Sequence, residues 1–117
     1  MTSLETAKLA AKALSTKKGL DIKLIKIDDI SVLSDYMVIA TGTSSTQVKA
    51  MADHVEYELA EAGVSVSHIE GYRSNTWILM DYIDVIVHVF MEETREFYDL
   101  ERLWQDGESI DISDIID

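Results

Sequence analysis

The stretch from residue 36 to residue 63, YMVIATGTSSTQVKAMADHVEYELAEAG, decides the fold. Its first part, residues 36–41, is a continuous apolar run, which is typical of a central strand covered on both faces. Ser44 and Gln47 then have the spacing of a capping box, and Gly63 is the expected end of a helix. Between them lies an apolar stripe at helical intervals: Val48, Met51, Ala52, Val55, Leu59 and Ala62. A buried strand followed by an amphipathic helix predicts an α/β fold.

Further elements are predicted on both sides of this stretch. Thr2 and Glu5 form a capping box, and Gly19 is a plausible C-cap. The predicted elements outside the central stretch are a helix at 3–18, strands at 22–27, 66–70, 76–82 and 84–90, and a helix at 92–104. The predicted fold class is therefore α/β, with a mixed five-stranded sheet flanked by helices.

The chain is predicted to divide into one domain, residues 1–104, and an acidic C-terminal tail, residues 105–117. The alternation in SIDISDIID, residues 109–117, also fits an added strand, but we expect a mobile tail. A domain of 117 residues should have a radius of gyration of about 13 Å and measure about 30 Å across.

Composition excludes several classes of protein. The chain is 47% hydrophobic and 27% charged, so it can bury a core, and general disorder is excluded. It has no apolar run of about 18 residues, so we expect no transmembrane helix, and its N-terminus resembles a helix of the mature protein more than a signal peptide. The absence of Cys excludes disulfides, thiolate catalysis and Cys-based zinc sites, and it fits the cytoplasm.

Charge is the next constraint on function. Ten basic and 22 acidic residues give a net charge of −12, and the excess is confined to residues 31–117, since residues 1–30 carry six Lys and four acidic residues. Such a body should be repelled by nucleic acid and by anionic membranes. It should be attracted to a basic protein, although acidity can also serve solubility alone.

The predicted hairpin has one apolar face and one mixed face. With Tyr82 and Ile83 at the turn, Trp77 would lie opposite His88. The mixed face would carry Trp77, Leu79, Asp81, Asp84, Ile86, His88 and Phe90. A Trp beside a His and carboxylates is typical of a protein-binding patch. Equally, the third helix could cover this face and make Trp77 part of the core.

The case for catalysis or metal binding is weak. The three His residues lack the spacing of a helical metal pair, so we expect no metal and no cofactor. Asp81 and Asp84 suit a hairpin turn better than a Mg²⁺ site. Ser44 suits a helix N-cap better than an anion site, although the element Gly42-Thr-Ser-Ser resembles one found in nucleotidyltransferases. A metal-dependent enzyme using Ser44, Asp81 and Asp84 is the competing hypothesis.

A family resemblance rests on six motifs in a fixed order. They are DYMVIATGTS at 35–44, ADHV at 52–55, EG at 70–71, WILMD at 77–81, DVIVHVF at 84–90 and RxxYxLExLW at 95–104. Over residues 5–104 the chain resembles the ribosomal silencing factor family, also called iojap-like proteins. The resemblance implies a nucleotidyltransferase-like fold without known catalytic activity.

The resemblance also implies a function. Family members bind the large ribosomal subunit through its fourteenth ribosomal protein, a basic protein at the subunit interface. They hinder joining of the small subunit and so repress translation during starvation or stationary phase. Organelle relatives act in translation or in large-subunit assembly, and assembly is therefore the alternative function. Little direct nucleic-acid binding and no membrane binding are expected, and a homodimer is left open.

Two departures from the family pattern matter. The family's hairpin turn usually has the form Asp-x-Gly-Asp, whereas here Ile83 stands at the Gly position. Gly readily adopts a positive φ and β-branched Ile does not, so the turn type and the cross-strand register are less securely predicted. The family also often has basic residues after the serine pair, where this chain has Thr46 and Gln47.

The predicted partner-binding residues follow from the charge, the hairpin face and the third helix. Trp77 and Tyr98 are expected to be aromatic anchors, and His88 is expected to support the Trp77 ring. Basic side chains of the partner should face three acidic residues: Glu70, Asp81 and Asp99. Packing of the helix on the sheet is assigned to Phe97, Leu100, Leu103 and Trp104.

Overall fold

The computed structural model describes residues 1–116 as an alternation of helices and strands. The elements are α1 Ser3–Thr16, β1 Leu20–Lys26, β2 Tyr36–Gly42, α2 Ser45–Glu61, β3 His68–Glu70, β4 Trp77–Asp81, β5 Val85–Met91, α3 Glu92–Tyr98, α4 Leu100–Leu103 and β6 Glu108–Ile110. The mixed α/β class predicted from the sequence is confirmed.

The strands form one mixed sheet in the order β3-β4-β5-β2-β1-β6. β2 and β5 are parallel, and the other neighbouring pairs are antiparallel. The prediction of five strands is wrong, because β6 lies within the segment predicted as a tail and pairs with β1. An added strand is therefore present at Glu108–Ile110, whereas residues 111–116 form no strand; Asp117 lies outside the described residues.

The two faces of the sheet are covered very differently. α1 and α2 pack on one face, here called the helix-covered face, over a large core that includes Leu14, Val55 and Val87. The other face, here called the open face, has a smaller buried cluster: Ile25, Ile27, Met37, Ile39 and Phe90. Every residue of β2 is buried, as the continuous apolar run predicts.

Both predicted N-caps are confirmed. Thr2 and Glu5 make the full reciprocal capping box at the start of α1. At α2, Ser44 Oγ accepts the Gln47 backbone N–H at 3.1 Å, so Ser44 satisfies one of the free N–H groups of the helix. The second half of that box differs from the prediction, since Gln47 Oε1 accepts the backbone N–H of Thr43 at 2.6 Å.

The predicted register of the β4–β5 hairpin is wrong by two residues. Trp77 lies opposite Phe90, and His88 lies opposite Leu79. The Tyr82 N–H donates to the Val85 carbonyl at 2.9 Å, so the turn centres on Ile83 and Asp84. A shift of two residues preserves the alternation of faces. The face predicted as core is accordingly buried: Ile78, Met80, Val85, Val87 and Val89.

The predicted third helix is broken in two. Asp99 has a left-handed conformation, with φ 48° and ψ 51°, and it separates α3 from α4. The break changes which side chains meet the sheet. Leu100 and Trp104 pack against the open-face cluster as predicted, but the packing roles assigned to Phe97 and Leu103 are wrong, because both side chains are largely exposed.

The overall dimensions match the size expected from the chain length. The radius of gyration is 12.7 Å, and the principal extents are 33 × 32 × 28 Å. Among the described residues, none of the helices combines the length and the apolar character needed to cross a bilayer.

Candidate partner-binding site

A groove of about 590 Å³ crosses the open face between β3–β5 on one side and α4 with the β1–β2 loop on the other. We call it the open-face groove. Its lining residues are Ile27, Ser31, Leu33, Ser34, Met37, His68, Glu70, Trp77, Leu79, Asp81, Ile83, Ile86, His88, Leu100, Leu103 and Trp104. The lining is mainly apolar with a few polar groups, which is the composition of a binding site.

Four of the predicted site residues line this groove: Glu70, Trp77, Asp81 and His88. Tyr98, a fifth, lies beside the groove, with its ring tilted by 46° to that of Trp77 and the two ring centroids 4.7 Å apart. Asp99 is not brought together with them. It lines a smaller cavity of about 250 Å³ on the far side of α3 and α4.

Trp77 is held by a hydrogen bond and by ring stacking. Its Nε1–H donates to Nδ1 of His88 at 3.1 Å, so the imidazole carries its proton on Nε2. Burial lowers the pKa of His88 to about 4, which keeps the ring neutral and able to accept this bond. Trp77 also stacks on Phe90 at 4.9 Å between ring centroids. The expected support of Trp77 by His88 is therefore present as a contact.

The backbone before β4 also positions Trp77. Gly71 has φ 95°, and a Cβ added there would collide with the Trp77 carbonyl oxygen. This close approach requires glycine, which identifies a structural reason for the Glu70-Gly71 motif.

The Trp77 side chain is partly buried and partly exposed. It packs against the open-face cluster, and its side chain remains partly exposed where it lines the groove. The two alternatives that the sequence left open are thus both partly true. α4 covers one part of the open face, and the groove occupies the rest.

The charge of the groove has one sign. Among its lining residues the only permanently charged side chains are Glu70 and Asp81, and no Lys or Arg lines it. His68 lies 3.2 Å from Glu70, with both side chains exposed. A ligand of this groove would meet apolar surface together with two carboxylates, which favours a cationic, partly apolar partner.

Sequence reasoning missed three exposed apolar residues of the groove: Leu33, Ile83 and Leu103. Leu33 and Ile83 lie in a loop and a turn, where no periodic pattern assigns a face. Their proximity depends on a tertiary hydrogen bond, from Ser34 Oγ to the Ile83 carbonyl at 2.8 Å. The only sequence signal was Ile83 itself, a β-branched residue at a glycine position.

A buried arginine fixes α3 and α4 against the sheet. Arg95 donates to Thr41 Oγ1 at 2.7 Å, to the Asp21 carbonyl at 2.8 Å and to Glu101 Oε1 at 2.9 Å. Glu101 also pairs with Lys23 at 2.6 Å. Hydrogen bonds from Arg95 and Lys23 lower the pKa of Glu101, so the carboxylate stays ionised.

Ser44 is not brought together with Asp81 and Asp84, as the competing enzyme hypothesis requires. The Asp84 carbonyl accepts N–H groups from Asp35 and Tyr36 at the start of β2, whereas Ser44 follows the end of that strand. A strand of this length separates its ends by about 20 Å. Within residues 1–116 no cluster of three or more His, Cys, Asp or Glu is arranged to hold a metal ion.

Comparison with known proteins connects this geometry to a family. The model of the family described as "Ribosomal silencing factor during starvation" matches residues 1–117. A ribosomal silencing factor of Chromobacterium violaceum is 44% identical over 100 residues, which cover 86% of this chain and 82% of that protein. A mouse protein named for mitochondrial assembly of the ribosomal large subunit is 32% identical over 87 residues, which cover 72% of this chain and 38% of that protein.

The fold is also similar to solved structures. A crystal structure of a Chromobacterium violaceum protein superposes with a TM-score of 0.88 at 41% identity, covering 97% of this chain and 93% of that chain. The open and helix-covered faces described above therefore belong to a fold that is shared with that protein.

Proposed function

The chain belongs to the ribosomal silencing factor family, and from this membership we propose that it binds the large ribosomal subunit through the open-face groove and blocks joining of the small subunit. The single observation that supports this most directly is the groove itself. It combines a partly exposed pair of aromatic rings, Trp77 and Tyr98, with apolar lining, and the permanently charged side chains of that lining are both acidic.

The proposed contact on the ribosome is a basic protein, the fourteenth protein of the large subunit. Support comes from the family resemblance and from charge, since the chain carries −12 and the groove presents Glu70 and Asp81. Trp77 and Tyr98 act as anchors and His88 orients Trp77, which fits the enrichment of aromatic residues at interface hot spots. Asp99, which faces away from the groove, contributes at most to a peripheral contact.

The proposed mechanism is steric and needs no chemistry. A body of 33 × 32 × 28 Å cannot be accommodated between two ribosomal subunits in close contact. A large subunit that carries the protein is therefore withdrawn from joining. The withdrawn fraction rises with protein concentration relative to Kd, by mass action. Such a protein would repress translation in the cytoplasm when it accumulates under starvation.

Co-sedimentation with purified subunits tests the binding step. The protein should travel with large subunits and remain unbound with small subunits. A matched control is Tyr57→Ala on α2, because Tyr57 is an exposed aromatic residue on an element of the helix-covered face. This variant should bind as the unmodified protein does. Equal binding to both subunits, or binding to neither, would contradict the proposal.

The mouse relative's name favours a second candidate function, large-subunit assembly. Sucrose-gradient profiles of cells that lack the protein separate the two. Immature large-subunit particles during growth would indicate an assembly factor. Altered subunit joining restricted to starvation, with mature subunits, would indicate a silencing factor.

A further inference from the structure

We propose that Ile83 and Leu33 form a second anchor point of the open-face groove, and that it receives an apolar side chain of the same basic partner. The first anchor point is the Trp77–Tyr98 pair at the other end of β4. This inference rests on the proposed function, because it specifies what the bound protein must present.

Ile83 has a strained backbone conformation. Its φ is 74°, in the left-handed region that β-branched residues avoid and in which the family pattern usually has Gly. The strain is not offset by burial, since Ile83 is 64% exposed. A side chain that strains the backbone and packs little should add little to the stability of this fold. Its apolar surface is instead available to a partner, in keeping with the concentration of strained residues at functional sites.

The turn that carries Ile83 is held by two side chains that form hydrogen bonds with the Ile83 main chain. The Ile83 N–H donates to Asp81 Oδ1 at 2.7 Å, and its carbonyl accepts Ser34 Oγ at 2.8 Å. Neither bond uses the Ile83 side chain, so a substitution can remove the apolar surface and leave the turn in place. The bond to Ser34 also holds the adjacent Leu33, 83% exposed, beside the turn.

The length of the groove and its charge indicate what kind of protein segment would bind there. The four steps from Trp77 to Asp81 measure about 13 Å along β4, and Ile83 lies beyond them. Glu70 pairs with Leu79 in the middle of this length, and Asp81 lies near its end. The groove thus fits a segment of a basic protein that has two apolar side chains at least about 13 Å apart, with Lys or Arg between them.

Variants at position 83 separate binding from folding. Ile83→Gly should leave the urea midpoint of unfolding unchanged or raise it, because the left-handed conformation is relaxed. The same variant should weaken binding to purified large subunits about fivefold or more, as expected for loss of an interface anchor. Ile83→Asn, which tolerates this φ but is polar, should also weaken binding. Ile83→Met should retain it.

Val32 offers a matched control in the neighbouring loop. It is fully exposed and does not line the groove, so Val32→Ala should change the affinity by less than about twofold. Unchanged affinity of Ile83→Gly, with normal binding by the unmodified protein, would overturn the second anchor and leave the proposed function intact. Failure of the unmodified protein to bind would instead overturn the proposed function.

Two other results would also contradict the inference. A lower unfolding midpoint for Ile83→Gly would mean that the side chain stabilises the turn. Weaker self-association in sedimentation velocity, with unchanged binding to large subunits, would mean that the occupant is a second copy of this chain.

Discussion

The buried imidazole of His88 on the open face is neutral, and the orientation of Trp77 depends on this neutral form. His88 Nδ1 accepts the Trp77 Nε1–H at 3.1 Å, and a protonated imidazole has no lone pair with which to accept it. Burial lowers the His88 pKa to about 4. The pair is therefore intact at neutral pH, and acid should weaken both the fold and the first anchor.

The His88 pKa predicts a specific loss of stability in acid. Between pH 6.5 and about 4 the unfolded chain binds a proton at His88 and the folded protein does not. The free energy of unfolding should therefore fall by about 3 kcal/mol as pH decreases through this window, with no contribution above pH 6.5. Urea unfolding of the unmodified protein and His88→Gln at pH 7 and pH 4.5 measures the difference. Identical pH dependence of the two proteins would rule out this role of His88.

If Trp77 and Tyr98 are the aromatic anchors that we propose, truncating either should reduce the affinity for large subunits and leave the protein folded. Trp77→Ala or Tyr98→Ala should weaken binding to large subunits by about 2 kcal/mol or more, because each removes one ring of the partly exposed aromatic pair. Isothermal titration or quantitative co-sedimentation measures the affinity, and circular dichroism checks the fold. If both variants bind with the affinity of Tyr57→Ala, the anchor assignment is wrong.

At the residue scale, local pattern identified one end of the groove and missed the other. Alternation along β4 and β5 places Trp77, Asp81 and His88 on one face, and this result survives a two-residue error in register. Leu33 and Ile83 belong to no periodic element. Their contribution to the groove depends on a hydrogen bond between residues 49 positions apart, which local sequence does not specify.

At the scale of elements, the placement of α3 and α4 depends on Arg95. This side chain is 7% exposed and connects α4, through Glu101, to β2 and to the Asp21 carbonyl. The same contact explains why a polar residue, Thr41, occurs in the otherwise apolar strand β2: its hydroxyl accepts a hydrogen bond from Arg95. Tyr98 and Leu100 flank the break between α3 and α4, so the aromatic end of the groove depends on this network.

Removing the arginine should therefore be costly. Arg95→Met leaves buried polar partners unpaired and should lower the free energy of unfolding by about 3 kcal/mol or more. Lys23→Met is the matched control, because it removes the half-exposed pair with the same Glu101 and should cost less than about 1 kcal/mol. Chemical unfolding at neutral pH compares them. Equal effects of the two variants would contradict a central role for Arg95.

Sequence patterns predicted the elements better than their ends and connections. The capping residues and apolar stripes of α1 and α2 are local signals, and both helices form as predicted. The break at Asp99 has no Gly or Pro to mark it, and Arg95 before the break donates a hydrogen bond to Glu101 beyond it. β6 lies in the segment for which the alternation also fits a strand; its pairing with β1 joins residues distant in sequence, and local pattern does not specify such a pairing.

At the scale of the whole molecule, charge should set how binding depends on salt. The net charge of −12 and the acidic groove predict that affinity for large subunits falls as ionic strength rises, because screening weakens attraction between exposed charges. Glu70→Gln should reduce the slope of this dependence. Kd measured between low and high salt tests both points, and a salt-independent Kd would contradict the electrostatic part of the account.

The central claim is that this body represses translation by occupying the large subunit, so subunit joining is the quantity to measure. Purified large and small subunits are mixed with and without saturating protein, and joining is followed by light scattering. Joining should be strongly reduced by the unmodified protein and by Tyr57→Ala, whereas Trp77→Ala should have little effect at the same concentration. Joining at the normal rate, with the protein bound to the large subunit throughout, would contradict the claim.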